Sequence, residues 1–279
     1  MLTSMKELFA IAEKRNCAIP AFNVYNGETA MGIFKAAEEA DACIIVQMYS
    51  RLFMSPDKEA EFIAPTIIEA AHRSKCKIAF HLDHGSCDEA VFRAIKYGCS
   101  AVMRDASALP FEENVAVIKN ITRFAHDLGI DVEAELGHIG FAKDGVSTEY
   151  TKVDEAVKFC EETGVDALAV AVGTAHGHYK QAPVLAIDRI RELHDAIPAA
   201  LVLHGGSGVP DDQIRAAVKA GIRKINFGTD VCLAFLDGVR EVDPSIIGVD
   251  TFMKSPVQCV KEFALEKIRL LDAEGTNND

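Results

Sequence analysis

Eight times along the chain a short, nearly uninterrupted apolar run is followed by a longer amphipathic stretch. No other feature narrows the possible folds as much. The runs cover residues 18–24, 43–49, 77–84, 100–105, 131–137, 166–173, 199–206 and 222–228. The stretches with helical periodicity cover 28–40, 58–74, 88–97, 112–128, 154–163, 183–196, 211–220 and 229–240. Strands buried on both faces read as continuous apolar runs, and parallel strands need helical crossovers between them. Eight such units predict an α/β chain folded as a (β/α)8 TIM barrel. A doubly wound open sheet is the alternative, but no glycine-rich turn follows the first run. Segment 3–15 is predicted to be a helix capping one barrel end, and segment 255–271 an extra C-terminal helix. With no low-complexity linker between them, residues 1–279 are expected to form a single domain.

The chain carries 29 basic and 42 acidic side chains, a formal charge of −13. That balance disfavours a nucleic-acid backbone or an anionic membrane surface as partner. It leaves room for a small phosphorylated ligand, which backbone amides, a helix N-terminus or a metal can bind locally. The 8 cysteines include no C-x-x-C pair and fall in apolar or helical stretches. They read as free thiols of a cytoplasmic protein. No apolar run is long enough for a membrane span, and the N-terminal segment is an amphipathic helix rather than a signal peptide.

Barrels of this kind carry their chemistry where strands end and loops begin. Unusual polar residues stand at those positions: Asn23, Ser50, Asp83, His84, Asp105, Glu135, His176, His204 and Asn226. Three of them are histidines, from the third, sixth and seventh runs. Three imidazoles aimed at one centre with an open fourth position make a catalytic zinc arrangement. By spacing alone His178 serves as well as His176. His72, His126 and His194 fall in helical segments and are expected on the surface. Gly205-Gly206-Ser207-Gly208 follows the seventh run, and Asn226-Phe227-Gly228-Thr229 the eighth. Loops after these two strands commonly bind phosphate, although tight turns alone would explain either one. Glu133 and Glu135 share one side of the fifth strand, a costly pair inside a barrel unless a cation partners it. A salt bridge to Arg104 or Lys224 is one answer, and a second metal ion the other.

Pro20-Ala21-Phe22-Asn23, His81-Leu82-Asp83-His84-Gly85, Arg104-Asp105-Ala106-Ser107 and Phe111-Glu112-Glu113-Asn114 come first in a series of eight motifs. Val132-Glu133-Ala134-Glu135-Leu136-Gly137, Gly173-Thr174-Ala175-His176-Gly177, Leu203-His204-Gly205-Gly206-Ser207-Gly208 and Lys224-Ile225-Asn226 complete it. In this order they resemble motifs of the class II aldolases, the metal-dependent fructose- and tagatose-bisphosphate enzymes. The resemblance implies that His84, His176 and His204 bind a catalytic zinc ion, and that Asp83 is the acid/base at the substrate's C4 hydroxyl. It implies that Asp105 and Glu135 hold a second or displaced divalent metal, and it leaves a monovalent cation open. Gly177, Gly205, Gly206, Ser207, Asn226, Gly228 and Thr229 would bind a dihydroxyacetone phosphate half. Asn23, Ser50 and Phe227 complete the expected substrate contacts. The implied reaction is reversible cleavage of a ketose 1-phosphate or ketose 1,6-bisphosphate into dihydroxyacetone phosphate and an aldehyde. A cytoplasmic homodimer or homotetramer is the implied assembly.

Several positions depart from the family pattern. Lys143 stands where the family carries a loop Glu, with Asp144 or Glu149 as possible replacements. Arg104 is an added charge beside the metal ligands, expected to pair with Asp105 and Glu133 or to meet an acidic substrate group. Asp243-Pro244-Ser245 lacks the arginine associated with the distal phosphate, and Arg51 is the candidate substitute. Two rival functions remain: a Schiff-base aldolase using Lys224, and a sugar-phosphate-binding relative with little activity.

Overall fold

The computed structural model describes residues 1–140, 149–177, 179 and 182–279. Eight parallel strands close into a barrel in chain order. They are β1 (Ile19–Asn23), β2 (Ile44–Tyr49), β3 (Ile78–Gly85), β4 (Ala101–Arg104), β5 (Asp131–Leu136), β6 (Ala167–Val170), β7 (Ala200–Leu203) and β8 (Ile222–Phe227). Closure is made by β1 on β8, with Ile19 opposite Lys224 and Phe22 opposite Phe227. The helices are α1 (Met5–Arg15), α2 (Gly27–Ala40), α3 (Ser50–Met54), α4 (Glu59–Arg73), α5 (Asp88–Lys96) and α6 (Phe111–Asp127). After them come α7 (Val153–Thr163), α8 (Ile187–Ala196), α9 (Asp211–Ala220), α10 (Thr229–Arg240), α11 (Val249–Phe252) and α12 (Lys254–Leu270).

Side chains alternate across each strand, and the alternation divides the core in two. Phe22, Val46, Phe80, Leu82 and Val102 point outward and pack beneath the helices. Ile19, Ala21, Ile45, Ala79, Ala101, Ala167, Ala169 and Val202 point inward and cluster with Met5, Leu8 and Phe9 of α1. Helix α1 therefore closes one barrel end, as its amphipathic pattern predicts. Toward the other end the interior turns polar: Gln47, His81, Glu133, His204 and Lys224 are each 0% exposed. The extra helix α12 packs on α2 and α10. A β-carbon on Gly32 of α2 would lie 2.8 Å from the Val257 carbonyl oxygen, so only glycine permits this approach.

Three boundaries differ from expectation. Strand β6 ends at Val170, because the Ala171 N–H donates to Thr151 Oγ1 at 2.9 Å instead of to a strand. Strand β7 ends at Leu203, where Gly205 turns the chain at φ +65°. The run predicted from 43 to 49 leads straight into α3, which the sequence reading did not foresee. The cysteines are free thiols, and burial pushes Cys43 up to about 11 and Cys160 up to about 12. Thiols so protonated are inert. Among the described residues no helix is long and apolar enough to cross a membrane.

Candidate functional site

Regular alternation along β3 would send His84 outward, since His81 and Asp83 face the barrel interior. The β3–β4 register shifts between Leu82 and Gly85, and His84 takes the left-handed conformation at φ +47°. This conformation is strained for a residue with a β-carbon. It turns the imidazole inward beside Asp83.

His84 Nε2 lies 3.2 Å from His176 Nε2. The His204 ring centroid is 4.7 Å from that of His84 and 5.7 Å from that of His176. One nitrogen from each of the three can be chosen so that all lie within 4.8 Å of one another, and His84, Asp105 and Glu135 form a second such group. Two of the rings are also held from behind. His84 Nδ1 is 2.8 Å from Asp105 Oδ2, and His176 Nδ1 is 3.0 Å from the Ile139 carbonyl oxygen. His204 meets a carboxylate at each ring nitrogen, Nδ1 at 2.9 Å from Glu135 Oε2 and Nε2 at 2.8 Å from Glu133 Oε1. Partners of this kind fix ring orientation and tautomer at metal sites.

Four carboxylates, Asp83, Asp105, Glu133 and Glu135, converge here around one ammonium, Lys224. Burial opposes their ionisation, yet the adjacent His84, His204 and Lys224 hold all four below the usual carboxylate range. Burial likewise opposes charge on His204, but its bonds to Glu133 and Glu135 outweigh that and push it up to about 9. His84 is raised by Asp83 and Asp105 against the same opposition. His176, buried beside these two rings, falls to about 4. The raised His84 and His204 offset part of the carboxylate charge, and a divalent cation would offset more of it. Convergent imidazoles with carboxylates in excess fit such an ion.

The site opens into a cavity of about 330 Å³. Its walls include Asn23, Asp83, His84, Asp105, His176, Gly177, Gly205, Ser207, Asn226, Gly228 and Thr229, all singled out by sequence. Ser50, Glu135, His204, Gly206 and Phe227 do not line it. The Ser50 hydroxyl accepts from the Ser86 N–H at 3.1 Å. Phe227 points outward by strand alternation and packs on Phe22, ring centroids 5.8 Å apart. The expected contact of its side chain with substrate is therefore corrected. Tyr25, Tyr49, His138 and Ile139 also form the wall and were passed over in the sequence. Tyr25 was legible, two positions beyond Asn23.

Arg51 lines the cavity, its guanidinium 5.7 Å from the ring centroids of both Tyr25 and Tyr49. Arg104 does not pair with Glu133 or with the Asp105 carboxylate. Its Nε donates to Asp88 Oδ1 at 3.0 Å, and its Nη1 reaches backbone carbonyl oxygens. Lys224 instead partners Glu133, at 2.8 Å. His72 and His126 are exposed as expected, whereas His194 is partly buried, 3.5 Å from Glu13. Glu149 is exposed, and Lys143, Asp144 and His178 lie outside the described residues.

The family model for fructose-bisphosphate aldolase class-II matches residues 3–276. The chain belongs to that family. This class II aldolase is 38% identical to Escherichia coli YdjI over 269 residues, 95% of each chain. The crystal structure of the YdjI aldolase superposes with a TM-score of 0.91 at 36% identity, covering 99% of this chain and 100% of that one. The 6-phospho-5-dehydro-2-deoxy-D-gluconate aldolase of Bacillus licheniformis is 33% identical over 279 residues, 98% of this chain and 95% of its own. The fructose-bisphosphate aldolase of Geobacillus stearothermophilus is 35% identical over 282 residues, 98% of each. Within this aldolase no lysine lines the cavity among the described residues, and Lys224 is fully enclosed. Among the described residues, Schiff-base chemistry has no amine to start from there.

Proposed function

We propose that this class II aldolase, with bound zinc, reversibly cleaves a ketose 1-phosphate or ketose 1,6-bisphosphate into dihydroxyacetone phosphate and an aldehyde. The observation that carries the reading is three imidazoles converging beside Asp83, two of them, His84 and His176, on the wall of an open cavity. His84, His176 and His204 would hold the catalytic ion, and Asp105 and Glu135 with His84 a second position. When bound, the ion supplies Lewis-acid polarisation of the ketose carbonyl.

The remaining chemistry belongs to the chain's own groups. Asp83, kept ionised, takes the C4 hydroxyl proton as the C3–C4 bond breaks. C4 becomes the aldehyde carbon, the bonding pair passes to C3, and C3 takes up a proton before dihydroxyacetone phosphate leaves. Backbone N–H groups of the Gly205–Ser207 turn and the N-terminus of α10 form a cradle for the phosphate. The Asp230 N–H donates to Ser207 Oγ at 3.3 Å and ties the two together. Gly177, Asn226, Gly228 and Thr229 complete that wall. Arg51, braced by two tyrosines, is suited to an anionic group on the aldehyde half.

Relatives named as aldolases carry the names of a bisphosphate and of a phosphorylated sugar acid, so both kinds of substrate belong in the test. A panel of ketose 1-phosphates, sugar-acid ketose phosphates and 1,6-bisphosphates, scored by dihydroxyacetone phosphate release with zinc, is the direct test. Release from at least one of them is expected. A binding-only relative would release none.

Zinc affinity should also depend on pH. His204 is protonated below about 9 without a metal and must lose that proton to ligate. Lowering the pH from 8 to 6 is expected to weaken zinc binding at least ~10-fold per unit, read by chelator competition. A flat profile would remove His204 from the ligand set.

A further inference from the structure

The mechanism above makes no use of Gln47, His81 or Lys224, all fully buried and polar. Their bonds lead to one place. Asn23 Nδ2 donates to Asp83 Oδ2 at 2.8 Å, and Gln47 Nε2 donates to Asn23 Oδ1 at 2.9 Å. Behind them, His81 Nδ1 lies 3.3 Å from Gln47 Oε1. On the other side Asn226 Nδ2 donates to Asp83 Oδ1 at 3.3 Å, and Lys224 Nζ donates to Asn226 Oδ1 at 2.7 Å. Lys224 Nζ lies 2.8 Å from Glu133 Oε2, whereas His81 Nε2, 3.6 Å from the same oxygen, is beyond hydrogen-bond distance, so the other arm starts at His81.

The chemistry of the end groups dictates the direction of every bond. An ammonium only donates and a carboxylate only accepts. The Asn226 atom facing Lys224 must therefore be oxygen, which turns the amide NH₂ toward Asp83. The Asn23 atom facing Asp83 must be NH₂, so its oxygen needs the Gln47 NH₂, and the Gln47 oxygen needs the N–H of His81. A direct lysine contact would neutralise Asp83 and weaken it as a base. With an amide interposed, and Lys224 paired to Glu133, orientation is transmitted without an opposing charge in contact.

Resting on the assignment of Asp83 as the C4 hydroxyl base, we propose that Gln47, His81 and Lys224 are positioning residues. Two one-way hydrogen-bond relays, His81–Gln47–Asn23 and Lys224–Asn226, hold the Asp83 carboxylate toward the substrate hydroxyl. A merely structural polar core would support every step equally. The arm through Gln47 and Asn23 serves the step that Asp83 performs, whereas Asn226 also lines the dihydroxyacetone phosphate wall.

Gln47→Met keeps the side-chain volume and removes both amide atoms, and Lys224→Met breaks the other arm. In each, ketose phosphate cleavage is expected to fall ~10-fold or more in kcat, with KM changed less than ~3-fold. Bound zinc should stay at the level of the unmodified protein in both, and in Gln47→Met, whose arm does not pass through Asn226, so should the exchange of the dihydroxyacetone phosphate C3 proton for deuterium. In Gln47→Met, cleavage and exchange falling together, or neither falling, overturns the proposal, as does undiminished cleavage in Lys224→Met. Asp83→Ala is the companion: if cleavage survives there, the base assignment fails and the relay with it. If only Asp83→Ala loses cleavage, the relay alone fails. Independently of variant folding, the side-chain NH₂ groups of Asn23 and Asn226 should exchange slowly by NMR in metal-free, nitrogen-15-labelled protein. Exchange as fast as that of exposed amides refutes fixed donors.

Discussion

Asp83→Ala is expected to lower aldol cleavage at least ~10²-fold while zinc stays bound. Asp83 stands next to His84 in β3 but is not among the converging imidazoles, so its removal spares the ligand set. The loss should lie in kcat, because the C4 hydroxyl proton has no other acceptor held by two amides. Two buried amides would lose their acceptor, costing about 1–3 kcal/mol of stability, which a thermal melt reads separately. Metal analysis alongside cleavage kinetics decides the matter. Unchanged turnover with full zinc content would sink the assignment of Asp83 as base.

Removing the metal should have the larger effect. Treatment with a strong chelator is expected to abolish cleavage, by ~10³-fold or more, with recovery on adding zinc. Four carboxylates against one lysine leave the site short of positive charge, which a divalent ion would supply at the ketose carbonyl. The melting temperature should fall with the metal, because an ion bound only by the folded chain stabilises that state. Borohydride with substrate should trap no adduct. Full activity in chelated protein, or a trapped lysine, would establish the Schiff-base alternative instead.

Most of the architecture was legible because each strand–helix unit carries its own signal. A run such as Ile44–Tyr49 is apolar on both faces only if helices cover one side and a barrel interior the other. The N-terminal helix was equally readable, since its apolar stripe needs a surface and the barrel end supplies one. The rim residues stood out as polar groups at strand ends. Three details escaped this reading. The Ser50 hydroxyl goes to Ser86 because α3 begins where a loop was expected. Phe227 turns outward because alternation, not proximity to Asn226 and Gly228, sets its direction. Arg104 finds Asp88 across the start of α5, a partner no local pattern indicates.

The period of the apolar runs, the spacing of the helices and the chemical kinds of residue at the rim belong to the sequence alone, because each depends on neighbours along the chain. The tertiary structure decided which of those residues meet. His84, His176 and His204 are far apart in sequence and join only when the barrel closes. The inward turn of His84 depends on a register shift between two strands. The pairing of Lys224 with Glu133, and so the donor direction of two amides on Asp83, depends on β5 and β8 facing each other across the interior. Local propensity cannot encode such meetings, because the energy that selects them is electrostatic and exists only between groups brought together in a closed, water-poor space.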